Sequence, residues 1–469
     1  MNKLDITTEG KVGRRTRGRL ARELGEGRIG RLAARGAIWL AAAALLQAAS
    51  SPGESLAMFR GNPEHTGVYE GAGVKSFSRI KWSFHMTGQV IASPAVANGV
   101  VFAGSTGGNF YAVDGETGKV KWTFDAKSRT ASSAAVAEGM VYFGAYDGSF
   151  YGVDAGTGLL KWKFKTGGER RFAATHLHGS QPATETMPDP WDCYLSSPVV
   201  WRGAVYFGSG DGNVYALDAA SGALKWKFKT GDVVHASPAI AGGTLFVGSW
   251  DTYFYALDAA TGGEKWRFKT GEDPDIHNQT GIQSSAAVAD GVVYFGCRDA
   301  HLYALDAQTG EKRWAYPTKG SWVITSPAVS KGTVYFATSD SGLLHAVDAK
   351  TGSDRYTVSL QGWPTFASPA IAGEMLYTAS TSGKVSAVDL GSQKIAWTFA
   401  TDSSQLNGPK FSKPDGSPDY ATVFASDFYD DIMAGYRKLQ SVGSILSSPV
   451  VAGNVVYFGG TDGNLYALM

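Results

Sequence analysis

Two cysteines in 469 residues, Cys193 and Cys297, are too few for a fold built on disulfides. No apolar run reaches the ~20 residues that a membrane-spanning helix needs; the nearest is AIWLAAAALLQAA at 37–49. No long stretch repeats apolar residues at the three-to-four spacing of an amphipathic helix, which excludes a helical bundle. An excess of one charge is missing as well, with 43 Lys and Arg against 42 Asp and Glu. That balance hides an uneven distribution: residues 1–57 hold ten basic and five acidic residues, leaving 33 basic and 37 acidic beyond. A slightly acidic body argues against nucleic acid as a partner. What the chain has in quantity is glycine, 60 residues, together with 13 Trp, 21 Tyr and 23 Phe. Such a mixture describes short strands joined by tight turns.

Residues 1–57 read as an export segment rather than as part of the fold. An Arg-rich stretch, GRRTRGRLARELGEGRIGRLAARG at 13–36, precedes the apolar run at 37–49. That run suits a signal-peptide core and is too short to span a bilayer. Ser55-Leu56-Ala57 supplies small residues where a signal peptidase cuts, so the expected mature chain begins near Met58, in the periplasm or otherwise outside the cytoplasm. It is expected to carry no transmembrane span. The first cysteine is Cys193, so no lipid anchor is expected at the mature N-terminus.

Residues 58–469 are repetitive. GGNFYAVDGETGKVKWTF at 107–124 returns as DGNVYALDAASGALKWKF at 211–228 and DTYFYALDAATGGEKWRF at 251–268. Ahead of each stands a short strand with Ser-Pro or Ser-Ala, such as ASPAV at 92–96 and SSPVV at 196–200, then a Gly turn and a strand such as VYFGS at 205–209. LKWKFK alternates strictly, with Trp226 and Phe228 on one face and lysines on the other, as a half-buried strand does. Four short antiparallel strands in a unit of about 40 residues describe a propeller blade. One blade cannot bury both its faces alone, so repetition makes the core. The middle strands occur eight times, and the last copy, VVYFGGTDGNLYALM at 455–469, stops before its Trp strand. RIKWSF at 79–84 is a Trp strand with no blade before it. The sequence therefore predicts an all-β, eight-bladed propeller of four-stranded antiparallel blades, closed by the N-terminal Trp strand joining the last blade.

Within the repeat, Ala, Asp two later, Gly at the seventh position and Trp at the eleventh recur as Ala112…Trp122, Ala216…Trp226, Ala256…Trp266 and Ala304…Trp314. This resembles the tryptophan-docking repeat of the pyrroloquinoline quinone (PQQ)-like propeller family. MFRGNPEHTGVY at 58–69 is similar to the mature start common there. The resemblance implies that Trp82, Trp122, Trp162, Trp226, Trp266, Trp314 and Trp397 each pack between neighbouring blades. Gly152 in place of the Ala, Tyr356 in place of the Trp and Gln393 in place of the Gly depart from the pattern. They imply looser docking around blades six and seven.

The family holds quinoprotein dehydrogenases and also noncatalytic scaffolds such as the propeller subunit of the outer-membrane β-barrel assembly machine. A dehydrogenase of this family would hold PQQ on Ca²⁺ beside a vicinal Cys–Cys disulfide. Here the two cysteines are 104 positions apart, and no Cys-x-x-Cys-His haem motif is present. The expected function is thus a noncatalytic exported scaffold without cofactor or metal; the alternative is a PQQ- and calcium-dependent dehydrogenase. The expected partner is a protein or a carbohydrate. Insertions at about 168–193, 272–282 and 401–443 all follow a Trp strand and precede a Ser-Pro strand, so all emerge on one face. Loops on a rigid scaffold are where binding concentrates. Trp191, Tyr194, His235, His277, Trp322, Trp363 and Phe366 are therefore the candidate binding residues around the channel mouth.

Overall fold

The Trp strands do what their alternation implies: each forms the outer edge of a four-stranded antiparallel sheet, with its Trp turned toward the next sheet. The computed structural model describes residues 57–271 and 281–469, and the strands form eight such sheets arranged as propeller blades. Blade 1 is typical, with strands Ala95–Ala97, Val100–Gly104, Asn109–Asp114 and Val120–Asp125 in sequence order from axis to rim. Blade 8 takes its outer strand from the other end of the chain. Ile80–His85 pairs antiparallel with Asn464–Leu468, aligning Trp82 with Ala467 and Phe84 with Leu465. Blade 7 carries a fifth, parallel strand, Val68–Tyr69, on its inner edge.

The tryptophans join the blades. Trp82, Trp122, Trp162, Trp226, Trp266 and Trp314 each donate Nε1–H to a backbone carbonyl of the next blade at 2.9–3.2 Å. The turn glycine of that blade lies flat on the indole. At Gly118, Gly158, Gly222, Gly262, Gly310 and Gly352 a Cβ would come within 2.6–2.8 Å of the ring, and all six hold positive φ. Glycine is needed there for both reasons. Blade 8 has no such turn, and Trp397 donates instead to Val74 O at 3.0 Å, with Phe77 against its ring. At the junction of blades 6 and 7 Tyr356 makes no bond to the next blade, and Gln393 holds the turn at φ +60°. Gly152 does not loosen its junction: Trp162 stays buried and keeps its bond to Ala219 O at 2.9 Å.

At the axis a second set of contacts closes the ring. Ser93 N–H donates to the hydroxyl of Ser133, and the same bond runs on through Ser197, Ser237, Ser285, Ser326, Ser368 and Ser448 back to Ser93, each at 2.8–3.1 Å. These are the serines of the Ser-Pro and Ser-Ala motifs. Residues 57–67 then run under the ring. Ala57 exchanges two bonds with Val136, and Ile240, Val288, Val329 and Ile371 donate to Pro63, Glu64, Thr66 and Gly67. Phe59 lies beneath the axial serines. The mouth on this side is sealed by the stretch expected to begin the mature chain.

One element was not foreseen. The third insertion contains helices, the longest Tyr429–Ser441, which buries Ile432, Tyr436 and Leu439. Three apolar positions in thirteen residues are too short a period to stand out in a strand-rich sequence.

Replacing Trp226 with Ala should cost stability toward the lower end of ~3–5 kcal/mol, since the indole is only partly buried. Gly262→Ala should destabilise the same junction from its other side. Melting temperatures equal to the parent protein in both variants would contradict docking between blades.

Candidate functional site

The mouth opposite the sealed one is covered by two insertions that hold each other. The first leaves strand Leu160–Lys165 and turns back through a two-stranded ribbon, Ala173–Thr175 with Thr186–Pro188. The third begins with helix Asp402–Asn407, whose Ser404 N–H is capped by the Thr401 hydroxyl. Across the axis, Gln181 N–H donates to Asp427 O at 2.8 Å, Tyr429 N–H to Gln181 O at 3.1 Å, and Tyr429 O–H to Pro188 O at 2.6 Å.

Two buried ion clusters pin the first insertion to the ring. Arg298, at the top of blade 5, lies between Trp250 and Trp322, 4.3 and 4.7 Å from their ring centres. Its guanidinium donates to Asp189 and, at 2.8 Å, to Gln283, whose amide donates to Trp191 O at 3.0 Å. Asp189 also meets His178 Nε2 at 3.2 Å and accepts Trp191 N–H at 2.8 Å. Burial pushes its carboxyl up, but Arg298 and His178 outweigh that and hold it well below the usual carboxylate range. In the second cluster His235 Nδ1 lies 2.6 Å from Asp192 and Nε2 3.3 Å from Glu169. Burial alone would lower the imidazole; Asp192 and Glu169 overcome it and hold His235 up at about 10. Phe172 N–H also binds Asp192, and Ser209 and Gly210 also bind Glu169. A buried imidazolium between two carboxylates that accept backbone N–H bonds is fully partnered, as buried charge must be.

The candidate residues fall into separate places. Trp191, Trp322 and Phe366 come together as walls of one cleft of about 420 Å³, with Trp191 stacked on Phe366 at 4.9 Å. Tyr194 and His235 lie lower, around the axial chamber, where the Tyr194 hydroxyl donates to Leu446 O at 2.9 Å. Trp363 is not at an open mouth: it is 1% exposed and donates Nε1–H to Gly416 O at 2.8 Å, packed under the third insertion. A Trp beside a Gly turn carries no sequence signal for the loop that will cover it. His277 lies outside the described residues. Sequence reasoning passed over Glu169, Asp189, Arg298, Tyr420 and Phe424, since nothing in their neighbours marks which loop crosses which blade.

Around the axis space is small and the acidic side chains are already paired. The axial chamber, bounded by the serine ring, Phe59 and Phe366, has room of about 50 Å³, enough for a few waters. Asp189, Asp192 and Glu169 are committed to Arg298, His178 and His235 rather than turned toward a common point. Among the described residues no three His, Cys, Asp or Glu side chains are placed to share a metal. Cys193 and Cys297 are both free and buried, in different hydrophobic clusters.

A family model described as outer membrane protein assembly factor BamB matches residues 74–187, 191–399 and 318–469. No match was found among curated protein sequences. Among solved structures, BamB from Moraxella catarrhalis is similar at 17% identity and TM-score 0.62, covering 83% of this chain and 99% of that one. A europium-containing methanol dehydrogenase is similar at 14% identity and TM-score 0.61, covering 88% and 98%. Quinohemoprotein alcohol dehydrogenase from Comamonas testosteroni aligns at 14% identity and TM-score 0.62, covering 88% and 80%. At these identities the structural likenesses speak for the fold alone.

The His235 cluster sets a pH dependence. Its pKa rises from 6.5 in the unfolded chain to about 10 in the fold. Its contribution is therefore whole below about pH 6.5 and is lost as pH climbs toward 10. The stability gap between the parent and His235→Gln, measured by denaturant unfolding, should be widest near pH 6 and narrow by about pH 10. A gap independent of pH would show that no imidazolium is held there.

Proposed function

Because this chain belongs to the family of outer membrane protein assembly factor BamB, we propose that it is a noncatalytic propeller scaffold that binds a protein partner on its insertion-bearing face, outside the cytoplasm. The observation that carries this reading is the asymmetry of the two mouths. One is sealed by residues 57–67. Over the other, two insertions lock together and leave an aromatic cleft open to solvent. A ring serving structure alone would need neither the added loops nor the ion clusters that fix them. Tyr420 and Phe428, on the third insertion, are large aromatic side chains left exposed at 39% and 57%. Exposed aromatics grouped at a cleft mark an interaction surface. The Arg-rich stretch and apolar run of residues 13–49 support export. Among the described residues no helix is long and apolar enough to cross a membrane.

The test is capture of a defined partner by the immobilised propeller from cell-envelope extract, identified by mass spectrometry. The double variant Tyr420→Ala, Phe428→Ala should weaken that capture by about tenfold or more while leaving the melting temperature unchanged. Undiminished capture would move the binding surface elsewhere. Dye reduction by the protein supplied with PQQ, Ca²⁺ and an alcohol would overturn the noncatalytic reading.

A further inference from the structure

We infer that the cleft between the first and third insertions is a docking groove for a basic, apolar peptide segment, with one lysine or arginine side chain laid along the aromatic walls and its head between Asp340 and Asp427. The inference rests on the reading of this face as a partner-binding surface and names the chemistry that the surface selects.

The groove, at about 420 Å³, lies within the ~300–1,000 Å³ range of ordinary binding pockets. Trp322 and Phe366 line it from the ring, Trp191 from the first insertion, and Tyr420, Phe424 and Ile432 from the third. The walls are held rigidly. Tyr436 meets Trp191 edge-on at 4.8 Å, and Arg298 lies 4.7 Å from the centre of the Trp322 ring. Tyr420 is stacked with Phe424 at 6.2 Å. Aromatic faces of this kind attract a cation and the methylenes behind it.

The polar groups of the groove give the sign of the ligand. Asp340 and Asp427 stand in its lining, and neither makes an ion pair among the described residues. Asp340 accepts only a 2.7 Å bond from its neighbour Ser339. That sets them apart from the turn aspartates of the blades. Asp154, Asp218, Asp258, Asp306 and Asp348 each have a lysine or arginine seven residues on, within 4.0 Å. No Lys or Arg lines the groove, and its one histidine, His178, is engaged with Asp189. A neutral or acidic segment entering here would strip water from two carboxylates and return nothing. A basic one pairs them. Exposed Phe428, next in sequence to Asp427, extends the apolar surface past the groove itself, and Tyr420 in its lining is also partly exposed. A free organic cation would leave that surface bare, whereas a peptide with apolar residues flanking its basic one covers it.

The probes are acetyl-Phe-Arg-Leu-amide, its Glu counterpart acetyl-Phe-Glu-Leu-amide, and choline, each titrated into the full chain and followed by tryptophan fluorescence and calorimetry. The Arg peptide should bind saturably, and the Glu peptide at least about tenfold more weakly. Asp340→Asn with Asp427→Asn should bring the Arg peptide down to the level of the Glu peptide. Both side chains are exposed, so this variant keeps its fold, checked by an unchanged melting temperature. Equal binding of the two peptides, no saturable binding of the Arg peptide, or choline binding as tightly as the peptide would each overturn the inference. If the Arg peptide fails while partner capture still depends on Tyr420 and Phe428, this inference falls and the wider reading of the face stands.

Discussion

Eight serine hydroxyls, each accepting the backbone N–H of the serine one blade before it, form an unbroken circle at the axis. Every other feature depends on that closure. A buried amide without its acceptor costs roughly 1–3 kcal/mol, so the eight inner strands are held at one height and one radius. The tryptophan contacts at the rim and the Ile80–His85 strand in blade 8 close the same ring at larger radius. Because the circle has no end, strain at one junction is shared with its neighbours. The Tyr356–Gln393 junction, without the indole bond, lies within that closed ring.

A ring of this kind has two mouths, and the chain treats them oppositely. Beneath the serines, residues 57–67 satisfy five inner strands with main-chain bonds and place Phe59 under the axis. Above them the connections between blades are free to lengthen, and two of them meet over the axis. Fixing long loops costs conformational entropy. Here the opposing terms are charge pairing around Arg298 and His235 and the stacking of Trp191 on Phe366. The carboxylates of Asp189, Asp192 and Glu169 are consumed in holding the loops, while Asp340 and Asp427 make no ion pair among the described residues.

The fold was legible because its signals are local and repeated. A strand alternating around Trp226 and a turn Asp218 bonded to Ser221 each recur seven times, and an axial serine recurs in all eight blades. The two partial units, at 79–84 and 455–469, show by their complementarity where the ring closes. The site was legible only by region. The insertions could be counted, and Trp191 named on one of them, while Trp322 and Phe366 stood out as aromatic residues entering inner strands beside the axis. Their grouping apart from Trp363 and His235 was hidden, since it depends on which loop folds over which blade. Arg298 sits at a position that varies from blade to blade, from Gly210 to Trp250, and its partner Asp189 lies 109 positions earlier. No pattern in one sequence joins two such residues. The helix Tyr429–Ser441 was hidden for a related reason: its apolar stripe is set by the cleft it backs.

Whether the serine circle governs the whole can be read from amide hydrogen exchange of those eight serines in the intact protein. If the circle opens only when the ring unfolds, all eight amides exchange together, at the rate set by global stability. Exchange of some of them by local opening, with the others still protected, would contradict the account and make the propeller a chain of separately stable blades.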